Sequence, residues 1–234
     1  MTLLPRSPIG VETLDAADVD PAVARATLRD LAVVNTLCGG RRAVAVAFRR
    51  LLRRHPDRSS VRVLDVGAGA GDILAHLVTV GARLGVRVQP VAVDVLPAAA
   101  QLCREANLAT VVADAARLPI ARRGVDIVVV SQLLHHLDRQ AAVTLVRALD
   151  RIARLGLIVA DLRRSFAARV GVRLFSAAMR FHPVTGRDGA VSVRRGFTAG
   201  ELRDLCSRAE VDATVRRRAG FRLVAVAEGS RAHD

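Results

Sequence analysis

Five short apolar runs rich in valine punctuate the chain: "VRVLDV" (61–66), "VQPVAVDV" (88–95), "TVVAD" (110–114), "VDIVVVS" (125–131) and "LGLIVAD" (155–161). Their length and β-branched content fit strands buried on both faces. Between them apolar positions recur at helical spacing, as in Ile73, Leu77, Val80 and Leu84, and again in Ala142, Leu145, Val146, Leu149 and Ile152. Strands alternating with amphipathic helices predict a doubly wound α/β fold: a mostly parallel seven-stranded sheet covered on both faces. The last two strands, near 213–217 and 221–227, are expected to form a closing hairpin around Ala219-Gly220 at the sheet edge. They follow a helix opened by the capping pattern from Thr198 to Glu201.

The pattern before residue 58 is different. Residues 1–19 read as a loose lead-in, and Asp20-Pro21 then supplies an N-cap and a proline suited to the first helical position. That helix should reach about Asn35, where Gly39-Gly40 breaks it. A second helix follows from Arg41 and ends at Pro56, with Val44, Phe48, Leu51 and Leu52 on one face. Arg42, Arg49, Arg50, Arg53 and Arg54 fall opposite, a basic face over 41–54 able to rest weakly on an anionic membrane surface. Arg41 lies near the apolar seam and is expected to look inward. Residues 1–57 are thus expected to be a lead-in with cap helices, and residues 58–234 the main domain. Residues 181–197 read as the longest irregular segment after the lead-in, of the kind that forms binding lids.

Composition refines this picture. With 51% hydrophobic residues in 234, the chain can bury a large aliphatic core. It has no Trp and no Tyr, so an aromatic cage or a base-stacking platform would have to be made of Phe alone. The formal charge of +14 suggests a polyanionic partner. Every basic residue is Arg, however, and the arginines are dispersed in pairs, which equally suits solvated helix faces. Cys38, Cys103 and Cys206 are far apart, as expected of reduced thiols in a cytoplasmic protein, and no metal is expected. No apolar run approaches the ~18 residues of a membrane span.

"VLDVGAGAGD" (63–72) carries the chemistry. Gly67, Gly69 and Gly71 follow a strand and open a helix, the setting of a nucleotide-binding turn. Asp72 stands where a dinucleotide fingerprint has its third glycine, and a carboxylate beside the helix N-terminus repels a pyrophosphate. Without lysine there is no phosphate-binding P-loop either. A nucleoside bearing an ammonium resolves the conflict, because Asp65 can then pair with it. S-adenosylmethionine (SAM) is such a ligand. Asp94, ending the second strand with Val95 beside it, can accept both ribose hydroxyls. Asp114 and the Ala115 N–H can meet adenine, and Ser131 lies near the methionine part.

Together "VLDVGAGAGD", "VAVDV", "VVADAARLP" and "VDIVVVSQLLHHL" resemble the class I SAM-dependent methyltransferases, nearest the ubiquinone/menaquinone methyltransferase branch. "NTLCGGRRAV", "DLRRS" and "DGAVSVRRGFT" are similar to bacterial methyltransferases of polyketide and phenolic-lipid pathways in secondary metabolism, from which Thr36 and Cys38 depart. The resemblance implies methylation of oxygen, less readily carbon, in a small aromatic, quinone-like or polyketide acceptor. It also implies a base at His135 or His136 with Asp161 as orienting partner. As neighbours, the two histidines are not expected to face the cleft together. Arg163, Arg164, His182, Arg194 and Arg195 are substrate-contact candidates. A nucleic-acid methyltransferase is the alternative that the charge raises, but "SQLLHH" lacks the Asn/Asp-Pro-Pro-aromatic element of base N-methyltransferases. A catalytically silent SAM binder is the third reading.

Overall fold

The valine-rich runs become β1 (Ser60–Val66), β2 (Arg87–Asp94), β3 (Ala109–Val112), β4 (Val125–Ser131) and β5 (Ala153–Leu162), and the C-terminal pair becomes β6 (Ala213–Arg218) and β7 (Arg222–Glu228). The computed structural model describes residues 12–16 and 18–229; the lead-in before Glu12 lies outside them. The strands form one sheet ordered β3-β2-β1-β4-β5-β7-β6. β1 to β5 run parallel, and β7 is antiparallel to both β5 and β6. The predicted hairpin is present, but only β6 takes the edge. β7 buries six consecutive residues and belongs inside the sheet, whereas β6 alternates between exposed and half-buried positions.

Helices α1 (Pro21–Leu37), α2 (Gly40–Arg53), α3 (Asp72–Arg83), α4 (Pro97–Glu105), α5 (Arg139–Ile152), α6 (Phe166–Ala178), α7 (Pro183–Arg195) and α8 (Ala199–Arg208) complete the described fold. Asp20 caps α1 by accepting the Ala22 N–H at 2.7 Å, and Thr198 with Glu201 forms the capping box of α8. On one face of the sheet α2 and α3 share a core in which Val44, Phe48 and Leu51 pack with β1, β4, β5 and β7. α5 and α8 cover the other face. The boundary expected near residue 57 therefore falls between elements of one core. On the basic face of α2, Arg50 and Arg54 reach Glu228 at 3.3 and 3.5 Å. Among the described residues no single helix is long and apolar enough to cross a membrane.

Two segments that read as irregular are ordered. Most of 181–197 is α7, opened by His182 as N-cap and Pro183 in the first turn. Its glycines let α6 approach: a Cβ on Gly186 would lie 3.2 Å from the Ser176 Cβ, and one on Gly189 would lie 3.0 Å from Val172. That packing offsets the helix penalty of about 1 kcal/mol per glycine. The end of the lead-in, Thr13–Asp15, is a short 3-10 turn fastened to α7. The Thr13 N–H donates to Asp188 at 2.7 Å, the Ser192 hydroxyl to Glu12 at 2.8 Å, and the Arg195 guanidinium to Glu12 at 2.7 Å.

Candidate active site

The C-terminal ends of β1 to β4 open on a single cleft of about 1130 Å³, at the point where the strand order reverses between β1 and β4. The glycine turn forms one wall. Gly67, Gly69 and Gly71 have φ of +72°, +55° and +74°, conformations that L side chains rarely adopt. The Gly67 and Ala68 N–H groups bond to the Val93 carbonyl at 2.9 and 3.1 Å, locking the turn to β2. At Gly71 a Cβ would also lie 2.6 Å from Leu108 and 3.0 Å from the Cys103 sulfur.

Asp65 lies in β1 between Ala92 and Val129 of its neighbours, and is buried. Its Oδ1 has no hydrogen-bond partner. Burial, reinforced by the charges of Asp72 and Asp94, pushes its carboxyl up to about 8. Asp94 accepts the Gly69 N–H at 2.8 Å and the Leu96 N–H at 3.0 Å, one on each oxygen, and burial raises its pKa despite those bonds. Each oxygen keeps a second lone-pair site. Asp114 caps the Ala115–Arg117 turn through Ala116 N–H at 2.9 Å, and together with Val95, Ala115 and Ser131 it lines the cleft. The cofactor residues expected from the sequence thus stand around one cavity, except Gly71, which packs against Leu108 and Cys103 instead.

Beneath the glycine turn lies a polar network that the sequence reading missed. Asp72 accepts from Arg41 at 3.0 Å and from Asn35 at 3.5 Å. Gln132 and buried Arg222 both donate to the Asn35 amide oxygen, at 2.7 and 3.3 Å, and Arg222 also donates to Gln132 at 2.5 Å. Only the inward lean of Arg41 was visible as a signal. Asn35, Gln132 and Arg222 come from α1, the turn after β4, and β7, and no local pattern links them.

His135 and His136 sit in a 3-10 turn, Leu134–His136, anchored by fully buried Leu134. His135 Nδ1 is 2.7 Å from Asp161 Oδ1, and both side chains are buried. Burial would raise Asp161, but the His135 charge and hydrogen bond outweigh it and its pKa is lowered. His135 Nε2 has no partner, and the ring lines the cleft. His136 lines it too, its ring centroid 4.3 Å from that of His135, contrary to the expectation that only one would face inward. The tight turn, rather than an extended chain, allows both. Burial would push His136 down, but the hydrogen bond to Asp15 at 2.7 Å and the charges of Glu12 and Asp15 raise its pKa.

Residues 63–156 match the family model described as "Methyltransferase domain". Over those residues, less than half of its length, the chain matches a methyltransferase domain. The comparison with curated proteins returned no match. Similar solved structures include human N-acetylserotonin methyltransferase in complex with SAM (14% identity, TM-score 0.64, covering 90% of this chain and 57% of that one). A SAM-dependent methyltransferase from Aquifex aeolicus has 16% identity and a TM-score of 0.53, covering 76% of this chain and 87% of that one. A putative O-methyltransferase from Nostoc punctiforme has 18% identity and a TM-score of 0.55, covering 82% and 56%. At these identities the likeness is one of fold, and the chain spans little more than half the length of the first of these proteins.

The cleft suits SAM on two counts: a buried carboxylate oxygen without a partner, and a turn of glycines and alanines at its wall whose glycines take positive φ. The substrate-contact candidates lie elsewhere, and none lines the cleft. Arg164 is buried, donating to the Gly196 carbonyl at 2.8 Å and to Glu201 at 2.7 Å. Arg195 is buried against Glu12 and Asp15, at 2.7 and 3.2 Å. Arg163 stacks on Phe221 with 5.3 Å between guanidinium carbon and ring centroid, His182 caps α7, and Arg194 is exposed. Arg164 and Arg195 hold the frame around the cleft, a role the paired "RR" pattern does not distinguish from substrate binding.

Proposed function

We propose that the protein transfers the SAM methyl group to an oxygen of a small, largely apolar acceptor such as a phenol, a hydroquinone or a phenolic lipid. One observation carries this reading: the His135–Asp161 pair opens into the same cleft as the orphaned Asp65 carboxylate. When bound, SAM supplies a sulfonium methyl that an oxygen nucleophile displaces in line, the carbon–sulfur electrons passing to sulfur. Asp65 meets the ammonium, Asp94 the ribose hydroxyls, Asp114 and Ala115 the adenine edge, and Ser131 the methionine part. Asp161 holds Nδ1–H of His135, leaving the Nε2 lone pair to take the acceptor's proton, and its carboxylate stabilises the imidazolium that results. Leu14, Leu31, Leu137, Val172 and Val193 line the cleft and suit an apolar acceptor. No Phe lines it among the described residues, so the cleft offers a nucleic-acid base no phenyl ring to stack on, which disfavours the nucleic-acid reading.

The test is turnover of methyl-labelled SAM against a panel of phenols and hydroquinones, with product mass rising by ~14 Da. His135→Ala should lower kcat by roughly 10² to 10⁴ with SAM affinity retained. Equal turnover in this variant would remove the base assignment.

A further inference from the structure

Glu12, His135 and His136 converge at the acceptor end of the cleft. A nitrogen of each ring and a Glu12 oxygen all lie within 4.8 Å of one another. Nδ1 of each imidazole is already engaged by a carboxylate, Asp161 for His135 and Asp15 for His136, both at 2.7 Å. Nε2 is therefore the nitrogen left on each ring. His135 Nε2 is buried without a partner, and His136 Nε2 is 4.0 Å from Glu12 Oε2. Glu12 is itself held in place by Ser192 at 2.8 Å and Arg195 at 2.7 Å. Imidazoles whose outer N–H groups are fixed by carboxylates, beside an oriented carboxylate, form the supporting shell that metal-ligating histidines require. Charge points the same way. Glu12, Asp15 and Asp161 are three carboxylates facing the two rings, and one guanidinium, Arg195, pairs directly with the cluster.

We propose that Glu12, His135 and His136 form a divalent transition-metal site, with its remaining coordination positions turned to the cleft. Two nitrogen ligands and one oxygen favour an ion of the zinc type over magnesium, which prefers oxygen. Bonds of about 2.0 Å place tetrahedral ligands about 3.3 Å apart, so the three side chains draw in by about an ångström on binding. The inference rests on the methyl-transfer reading for its purpose and alters one step of it. With the ion in place, the acceptor's hydroxyl binds as the next ligand, loses its proton to water and attacks the methyl carbon as a metal-held oxyanion. Without the ion, the His135 lone pair serves as the base.

The experiment uses the full chain stripped with a chelator and titrated with cobalt(II), whose visible absorption reports nitrogen and oxygen ligation. One equivalent should bind with visible bands, and zinc should displace it. Glu12→Gln and His136→Ala should each weaken binding by about a hundredfold or more, while His76→Ala should match the parent. Circular dichroism checks that each variant is folded. Should Glu12→Gln unfold the chain, His136→Ala decides the matter. Absence of bands at millimolar cobalt, or bands unchanged in folded Glu12→Gln and His136→Ala, overturns the site. Calorimetric SAM binding to the same preparations keeps the two readings apart: cobalt bound but SAM refused sinks the methyl-transfer reading and leaves the metal site standing.

Discussion

Replacing Asp65 with Asn separates charge from shape at the cofactor end of the cleft. Burial and the neighbouring Asp72 and Asp94 charges hold the Asp65 carboxyl up at about 8, so at neutral pH the ligand-free site is mostly protonated. An ammonium arriving beside it favours the carboxylate, so binding below pH 8 expels a proton. The ionised fraction falls from about one half at pH 8 to about one hundredth at pH 6; with the ligand's amino group about half charged at pH 8 and fully charged at pH 6, SAM affinity should fall about twenty-fivefold over that interval. The ligand's own amino group, ordinarily titrating near ~8, has lost about half its charge by pH 8, so affinity should peak near that pH and fall above it. Asn keeps the shape and removes the charge. A charge-assisted hydrogen bond contributes about 1.5–3 kcal/mol, so Asp65→Asn should bind about 10- to 100-fold more weakly at pH 8 and approach the parent at pH 6. Titration calorimetry in two buffers of different ionisation enthalpy measures both affinity and proton release. A parent affinity that stays flat from pH 6 to 8, or an equal slope in the variant, refutes the reasoning.

The same carboxyl sets a stability prediction. Its folded pKa of about 8 lies above an unfolded value near ~3.9, so it costs nothing below pH 4 and opposes folding increasingly up to pH 8, where the cost reaches about 5 kcal/mol. Ligand-free Asp65→Asn should therefore melt at higher temperature than the parent at pH 8 and at about the same temperature at pH 4. Asp94→Ala strips the ribose hydroxyls of their acceptor and frees the Gly69 and Leu96 N–H groups; SAM affinity by calorimetry should drop at least about tenfold. Arg195→Ala leaves Glu12 buried without its ion-pair partner and should cost about 3–5 kcal/mol, read as a lower denaturant midpoint.

What the sequence disclosed and what it hid divide along a physical line. The strands, the glycine turn and the carboxylates after β1, β2 and β3 were readable because each depends on period, chirality or position within a few residues. The His135–Asp161 contact was reachable because His135 follows β4 and Asp161 lies near the C-terminal end of β5, neighbouring strands of a parallel sheet. α7 was misread because glycine in a helix is normally a loss, and only the contact with Ser176 and Val172 of α6 turns it to use. The part played by Glu12 and Asp15 was invisible for another reason. Their partners Ser192, Arg195 and His136 lie more than a hundred residues away, and nothing in "VETLD" marks them as site residues.

β7 carries a consequence for how the protein comes into being. Arg222, which bridges Gln132 and Asn35 under the glycine turn, is on the last of the described strands, inserted between β5 and β6. During synthesis the first five strands can emerge and pair in order. The floor of the nucleoside pocket, however, stays unfinished until residues 222–228 clear the ribosome and slot in antiparallel against β5. A nascent chain halted before that point has the glycine turn in hand and still lacks the guanidinium of Arg222 beneath it.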